Sequence, residues 1–240
     1  MIQVENLGKR FAEKWVFRQI GFHVPEGGTL AIVGPSGGGK SVLLKIIAGL
    51  LHPDEGTVRL KNEELGMLFQ KNALFDSFTV LENLLFPMRE KIGKLTSHDE
   101  MKALQLLEQV GLAGTENLSP DELSGGMQKR LGIARALIIQ PKIILYDEPT
   151  AGLDPITSKK IAELMIQLKN EHGSTIIMVT NDMFRAYQIA DQIHLLALGR
   201  LIQGGSPKEV QATQDPALRQ FILGLQKGPL TASHAKENLA

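Results

Sequence analysis

Several features are missing from this chain of 240 residues, and each absence excludes a class of protein. The sequence contains no cysteine, so neither a disulfide nor a thiolate metal site can form, which fits a reducing compartment. No apolar run approaches the roughly 18 residues needed to cross a bilayer, and Met1–Leu7 has no signal-peptide pattern. A membrane role would therefore require a partner. An excess of one charge is also missing, because 26 basic side chains balance 26 acidic ones, so we expect no nucleic acid partner.

Strands and helices alternate at both ends of the chain. Continuous apolar runs are typical of strands buried in a parallel sheet, and apolar residues three and four positions apart indicate helices. The predicted strands are Thr29–Val33, Gly56–Leu60, Lys142–Tyr146, Ser174–Thr180 and Gln192–Leu198. The predicted helices are Lys40–Leu51, Ile156–His172, Met183–Ala190 and a stretch from Pro207 to about Leu225. The polar segment Lys227–Ala240 is expected to be a tail.

The middle of the chain is helical instead, with predicted helices at Glu82–Lys91, Ser97–Val110 and Gly125–Ile139. In the second of these, helical spacing predicts a buried face, and Thr96 or Ser97 is a suitable N-cap. The residues of that face are Met101, Leu104, Leu107 and Val110. Strand–helix alternation around a helical insert predicts a doubly wound α/β core that carries a helical subdomain.

The segment Gly34–Ser41 (GPSGGGKS) fits the phosphate-binding pattern G-x-x-x-x-G-K-[ST]. A predicted strand enters it and a predicted helix leaves it, so backbone N–H groups and the helix N-terminus can face phosphate oxygens. Lys40 is expected to reach the β- and γ-phosphates, and the Ser41 hydroxyl to bind Mg²⁺. The alternative is a glycine-rich turn with a solvated lysine. The residues expected to contact the nucleotide are Gly34, Pro35, Ser36, Gly37, Gly38, Gly39, Lys40, Ser41 and Val42.

Two acids, Asp147 and Glu148, follow the predicted strand Lys142–Tyr146. Ligands of open α/β sheets bind at the carboxyl ends of strands. Asp147 is suited to hold Mg²⁺ through water, and Glu148 to polarise an attacking water. Alone, such a pair is equally well explained as solvated loop charges. Beside a phosphate loop it indicates an NTPase, because an NTPase needs a second metal contact.

A third motif, Leu123–Met127 (LSGGM), lies at the start of a predicted helix. A Ser-Gly-Gly turn there can bind an anion, or Ser124 can be an ordinary N-cap. The motif resembles the LSGGQ signature of ABC (ATP-binding-cassette) ATPases, although Met127 replaces the usual glutamine. The resemblance implies an ATP-sandwich dimer in which Ser124, Gly125 and Gly126 of one copy close over the ATP of the other.

Other positions also resemble that family. Gln70 resembles the Q-loop glutamine, which implies contacts with Mg²⁺ and with a membrane partner. Asp154 resembles the D-loop aspartate. Asn181 takes the switch position where histidine is usual; it can donate a hydrogen bond to the γ-phosphate but cannot carry a proton.

Phe11 lies where the family places an aromatic side chain that stacks on adenine. Trp15 and Phe17 are nearby competitors, and a core position for Phe11 is the other interpretation.

The resemblance implies a P-loop NTPase (RecA-like) α/β core with a small antiparallel β subdomain and an inserted α-helical signature subdomain. It covers residues 1–225 as one ABC ATPase domain. The RecA-like core would be formed by residues 1–70 and 141–225, the helical subdomain by 71–140, and a C-terminal tail by 226–240.

Four segments are similar to one subfamily, the ATPase of the Mla phospholipid transporter linked to MCE proteins. They are Leu68–Asn83, Leu123–Met127, Asp154–Thr157 and Arg219–Pro229. This resemblance implies integral membrane permease subunits, an MCE lipid-binding protein and a small STAS-like protein as partners. It also implies attachment to the cytoplasmic face of an inner membrane through the permease.

Apolar residues flank the Q-loop and are predicted either to receive a coupling helix of the permease or to be plain core. These residues are Phe75, Phe78, Leu84, Leu85 and Phe86. Three rival functions stay open: a transporter ATPase for another substrate class, an ABC ATPase without a membrane partner, and a weakly hydrolysing nucleotide switch.

Overall fold

The structure, a computed structural model, describes residues 1–61 and 64–232. It contains two compact units: Met1–Lys61 with the chain from Ile177 onward, and the residues between these segments. The predicted division into a RecA-like core and a helical subdomain cuts the chain at other points and stays a prediction. Over the described ranges, no helix is both long and apolar enough to cross a bilayer.

An antiparallel sheet forms the N-terminal part of the first unit. β1 (Ile2–Phe11) lies between β2 (Lys14–Val24) and β4 (Glu55–Leu60) and pairs antiparallel with both. This sheet is the small antiparallel β subdomain that the family resemblance implies. The sequence patterns did not reveal β1 and β2, because register shifts after Val4 and Leu7 interrupt the alternation that marks a strand.

A second group of strands in this unit carries the phosphate loop. β3 (Thr29–Val33) is buried throughout and pairs in parallel with β8 (Gln192–Ala197). β9 (Arg200–Gly205), which was not predicted, pairs antiparallel with β8, and β7 (Thr175–Thr180) neighbours β3 on its other side. The prediction of buried strands from continuous apolar runs is therefore confirmed for β3, β7 and β8.

Two helices of the first unit follow strand ends. α1 (Lys40–Ile47) follows β3, and α6 (Met183–Ile189) follows β7. The prediction that α1 extends to Leu51 is wrong. Gly49 has a left-handed φ of 73°, which ends the helix near Ile47.

The second unit contains two parallel strands, β5 (Leu65–Leu68) and β6 (Ile143–Asp147). Over residues 64–176 its α-helices are α2 (Val80–Ile92), α3 (Ser97–Gln109), α4 (Gly125–Leu137) and α5 (Pro155–His172). Each of these helices begins at a polar N-cap residue, as helix-start signals predict. The caps are Thr79, Thr96, Ser124 and Asp154.

The buried face predicted for α3 is confirmed at Leu107 and Val110 and is wrong at Met101 and Leu104, which are exposed. The buried side chains of the helix include Ala103, Leu106 and Leu107. The buried face of α3 is therefore rotated around the helix from the predicted one, and the packing against α2 and α4 decides which residues are buried.

Close packing joins α4 to β5 within the second unit. A Cβ atom at Gly66 would lie 2.1 Å from the carbonyl oxygen of Ala136, and one at Gly132 would lie 2.5 Å from Leu68 Cδ1. No other residue fits at Gly66, because the obstacle is backbone. The two glycines therefore set how near α4 approaches the end of β5.

The C-terminal part of the first unit is helical after Pro207, as predicted, but it is divided into separate helices. It contains α7 (Pro207–Gln211), α8 (Pro216–Leu223) and α9 (Pro229–Ala232). Gln220 is buried and binds the segment after α8, because its Nε2 donates to the Leu225 carbonyl and its Oε1 accepts from Leu230 N. The predicted tail is thus folded as far as Ala232, and residues 233–240 lie outside the described part of the chain.

Candidate nucleotide-binding and catalytic site

The phosphate loop takes a shape that only glycine permits. A Cβ atom at Gly34 would lie 2.2 Å from the Leu196 carbonyl oxygen, and one at Gly39 would lie 2.6 Å from Val16 Cγ1. Gly37 and Gly39 have positive φ angles of 77° and 93°. The loop therefore turns tightly from β3 into α1 and leaves its tip, Pro35 to Gly37, exposed to a ligand.

Lys40 is the first residue of α1 and is buried. Its Nζ donates to the carbonyl oxygens of Gly34 and Pro35, at 2.9 Å and 3.1 Å. The ammonium group therefore lies against the backbone of the phosphate loop, beside its exposed tip. Ser41 and Val42 follow on the first turn of α1 and are half-buried.

Three aromatic side chains compete for the role of adenine platform. Phe17 is fully buried, so it presents no face to a ligand. The Trp15 ring is flanked by the guanidinium groups of Arg10 and Arg18, at 5.7 Å and 4.7 Å from its centre. Phe11 is 52% exposed at the end of β1 and stays the predicted stacking residue.

Asn181 lies in a tight turn between β7 and α6. Thr180 Oγ1 accepts from Asp182 N at 3.0 Å, and Asp182 Oδ1 accepts from Arg185 N at 3.1 Å and caps α6. Both neighbours of Asn181 are thus held, while Asn181 itself is exposed.

Asn181→His should raise ATP turnover several-fold at saturating ATP, because an imidazole can carry a proton that the amide cannot. The measurement is steady-state phosphate release beside the unchanged chain. Equal rates for the two proteins would show that asparagine is no handicap at this position.

The two acids at the end of β6 are buried, at 3% exposure for Asp147, the last residue of the strand, and 7% for Glu148, the next residue. Glu148 has a φ of 48°, a conformation that non-glycine residues seldom adopt and that clusters at functional sites. Its carbonyl oxygen accepts from Ala151 N at 3.2 Å, which closes a turn after the strand. The alternative of solvated loop charges is therefore wrong.

The Q-loop, Gln70 to Ala73, is held by two cations of α4. Lys129 Nζ donates to the Gln70 carbonyl at 2.7 Å. The Arg135 guanidinium donates to the carbonyls of Asn72 and Ala73, both at 2.7 Å. Asn72 and Ala73 have positive φ angles, 58° and 50°, so Arg135 stabilises an unusual backbone.

Sequence reasoning missed Lys129 and Arg135. A signal for Lys129 was present, because it shares a helical face with Ile133 and Ala136, which are buried. The pKa of Lys129 is lowered by burial, and the charges of Asp147 and Glu148 offset only part of this shift.

The signature residues and the D-loop line one cavity of the second unit, of about 470 Å³. Ser124 caps α4, since its Oγ accepts from Met127 N at 3.3 Å, so the ordinary capping role is real. Gly126 approaches α5 so closely that a Cβ atom would lie 2.8 Å from Thr157 Cγ2. The polar and glycine residues of the cavity are Ser124, Gly125, Gly126, Arg130, Gly152, Asp154, Thr157 and Lys160.

Asp154 also has a structural role. Its Oδ1 accepts from the backbone N–H groups of Ile156 and Thr157, at 2.9 Å and 3.0 Å, and caps α5. Hydrogen bonds with Thr157, and with the Ile156 N–H, lower the pKa of this carboxyl group. A carboxylate is therefore fixed at the rim of the signature cavity.

Comparison with known proteins identifies the chain. The family model described as ABC transporter matches residues 17–151. The probable ribonucleotide transport ATP-binding protein mkl of Mycobacterium tuberculosis (strain H37Rv) is 36% identical over 98% of this chain and 70% of its own length. The intermembrane phospholipid transport system ATP-binding protein MlaF of Escherichia coli (strain K12) is 34% identical over 96% of this chain and 91% of its own length.

Two solved structures of the ATP-binding cassette MJ0796 have the same fold. Its dimeric structure matches with a TM-score of 0.77 at 34% identity, covering 84% of this chain and 96% of that one. A dimeric post-hydrolysis state bound to ADP and Pi matches with a TM-score of 0.76 at 33% identity, with the same coverage. The predicted fold class is confirmed, and the related cassettes form dimers. The chain belongs to the ABC transporter family, as an ATP-binding subunit that hydrolyses ATP.

Proposed function

We propose that this ATPase powers a transporter that moves phospholipid between two membranes of a cell envelope. The observation that carries the proposal is the similarity to the phospholipid transport protein MlaF over 96% of the chain and 91% of the relative. Similarity at that coverage extends well beyond residues 17–151, which the family model matches. The ribonucleotide named for mkl is the second candidate substrate, because that relative is 36% identical.

The proposed chemistry assigns a role to each candidate residue. Ser41, Gln70 and Asp147 offer hydroxyl, amide and carboxylate oxygens, which are suitable ligands for Mg²⁺, and the ion would neutralise phosphate charge. Lys40 holds the β- and γ-phosphates, and Glu148 orients the attacking water and accepts its proton.

The remaining residues bind the two ends of the nucleotide. Phe11 stacks on adenine, and Asn181 donates to the γ-phosphate. The signature residues Ser124 to Gly126, with Asp154, serve the ATP of a second copy.

A groove beside the Q-loop is the proposed permease contact. This Q-loop groove has a volume of about 330 Å³, and its lining includes Gly66, Phe75, Phe86, Arg135 and Ala136. Phe75 and Phe86 lie in ring contact, 4.6 Å between centres. By contrast, Leu84 and Leu85 are buried, so for them the core interpretation is confirmed. An apolar groove with a cation at its edge suits an amphipathic helix of a partner.

Phe75→Ala should leave the ATPase rate of the isolated chain within about twofold, yet reduce stimulation by the permease several-fold, because apolar contact area for the partner is lost. The measurement is ATP hydrolysis by the chain alone and in the reconstituted complex. Leu104→Ala is the matched control, since Leu104 is an exposed apolar residue outside the groove. Equal stimulation of both variants would place the permease elsewhere.

The resemblance also supports an MCE lipid-binding protein beyond the membrane and a small STAS-like protein on the helical subdomain. With the permease, they would hold the chain at the inner face of the inner membrane.

The test of the proposed function is reconstitution of the complex in vesicles that contain labelled phospholipid. We expect ATP-dependent transfer of the lipid to an acceptor, abolished in the Glu148→Gln complex. ATP-dependent uptake of ribonucleotide without lipid transfer would overturn the proposal and favour the second candidate.

A further inference from the structure

Lys129 is a buried cation whose hydrogen-bond partners are main-chain groups of two catalytic segments. Its side chain leaves the middle of α4 and is 4% exposed. Nζ lies 2.7 Å from the Gln70 carbonyl oxygen and 3.5 Å from the Glu148 carbonyl oxygen. The ammonium group thus contacts the Q-loop and the residue proposed as catalytic base at once.

A plain packing role does not explain a lysine at this position. Burying an ammonium group costs free energy unless hydrogen bonds and nearby charges compensate. The compensation here comes from two carbonyl dipoles and from the negative charges of Asp147 and Glu148. An apolar residue of similar length, such as methionine, would fill the same space without that cost.

The partners of Lys129 are segments whose backbones need support. Glu148 has its φ at 48°, and the Q-loop continues from Gln70 into the left-handed residues Asn72 and Ala73. Backbones of this kind persist only where the surroundings hold them. Arg135 binds the carbonyls of Asn72 and Ala73, but the Gln70 carbonyl is bound by Lys129.

The distance from α4 to these segments is fixed by packing. Gly132 lies one turn after Lys129, and any Cβ atom there would meet Leu68 at 2.5 Å, directly before the Q-loop. Lys129 therefore projects from a helix that cannot readily move closer to the segment before the Q-loop. A larger residue at position 132 would not fit this packing. The same helix begins at the signature residue Ser124.

We propose that Lys129 is a positioning residue for ATP hydrolysis, which ties the Gln70 and Glu148 backbones to the signature helix α4. Its contribution acts through Glu148, so the inference rests on the proposed role of that residue. Lys129 does not bind the nucleotide in this scheme. Loss of these two hydrogen bonds lowers turnover. ATP affinity does not change, because it depends on the phosphate loop.

The test compares Lys129→Met with Lys129→Gln in the full-length chain and in its complex. Lys129→Met keeps the length and loses the donor, and we expect kcat to fall by about 10- to 100-fold with KM for ATP within about threefold. Lys129→Gln retains an N–H donor, so its kcat should be much higher than that of Lys129→Met and close to that of the unchanged chain. Lys102→Met, at an exposed lysine of α3, is the matched control and should change neither parameter.

A double-mutant cycle separates positioning from structure. In the Glu148→Gln background, Lys129→Met should have little further effect on residual turnover, because the group it positions is already disabled. The inference would be overturned if Lys129→Met lowered turnover by the same factor in the unchanged chain and in the Glu148→Gln chain. It would also be overturned if Lys129→Met alone kept the wild-type kcat. If Lys129→Met does not fold, Lys129→Leu is judged by the same criteria.

The cycle also distinguishes the two proposals. Turnover that survives Glu148→Gln would contradict the proposed base, whatever Lys129 does. Turnover lost in Glu148→Gln but kept in Lys129→Met would contradict only the positioning role.

Discussion

Glu148→Gln should reduce ATP hydrolysis by about 100-fold or more while ATP still binds. Glutamine has nearly the same shape and its amide oxygen can still accept a hydrogen bond, but it cannot take up a proton from water. Glu148 is 7% exposed and its backbone is held by Ala151 N and Lys129, so the substitution should not disturb its surroundings. Because ATP then persists, a nucleotide-bound dimer should accumulate.

The measurement combines phosphate release with size-exclusion chromatography in ATP. Glu163→Gln is the control, since Glu163 is an exposed glutamate of α5 whose ion-pair partner Lys159 lies 3.8 Å away. Its turnover should equal that of the unchanged chain. Equal turnover in Glu148→Gln would instead contradict the proposed role of Glu148 as the catalytic base.

Lys40→Ala should weaken ATP binding by about 10- to 100-fold and remove hydrolysis. A charge-assisted hydrogen bond contributes about 1.5–3 kcal/mol, and each 1.4 kcal/mol is a factor of ten in affinity. The substitution also leaves the carbonyls of Gly34 and Pro35 without the donor that bridges them, 2.9 Å and 3.1 Å away. The effect should therefore appear in Kd as well as in kcat.

Titration with a fluorescent ATP analogue measures this loss. Lys45→Ala is the matched control, because Lys45 is an exposed lysine on the same helix. The thermal midpoint of both variants, measured without nucleotide, reports on folding. Because Lys40 is buried, the alternative of a solvated lysine is wrong, and unchanged affinity in Lys40→Ala would leave the lysine a purely structural role in the loop.

The sequence predicted most accurately the parts whose chemistry is local. Gly34–Ser41 was recognisable because the glycines, the lysine and the flanking strand and helix are contiguous. β3 was predicted with its observed bounds, since an apolar run that ends at a glycine has few other interpretations.

The connection made by α4 could not be predicted, because its partners are distant main-chain groups. Lys129 bonds a carbonyl 59 residues earlier, and Arg135 one 63 residues earlier. Backbone carbonyls carry no sequence signature, so only the fold reveals these partners.

Some misses were avoidable. Asp215 caps α8 and Pro216 occupies its first turn, which is a signal for a second helix start within the stretch predicted to be helical. Ser206 and Pro207 make the same pair at α7.

Some residues that line the Q-loop groove can be replaced by others, and some cannot. At Gly66, one of the lining residues, any side chain would meet the backbone of α4, so this position is closed to substitution. Phe75 and Phe86 also line the groove, and there other apolar side chains of similar volume could take their places. A lineage of such cassettes could therefore adapt to a new membrane protein by exchanging the phenylalanines, while Gly66 preserves the close packing of the groove against the signature helix.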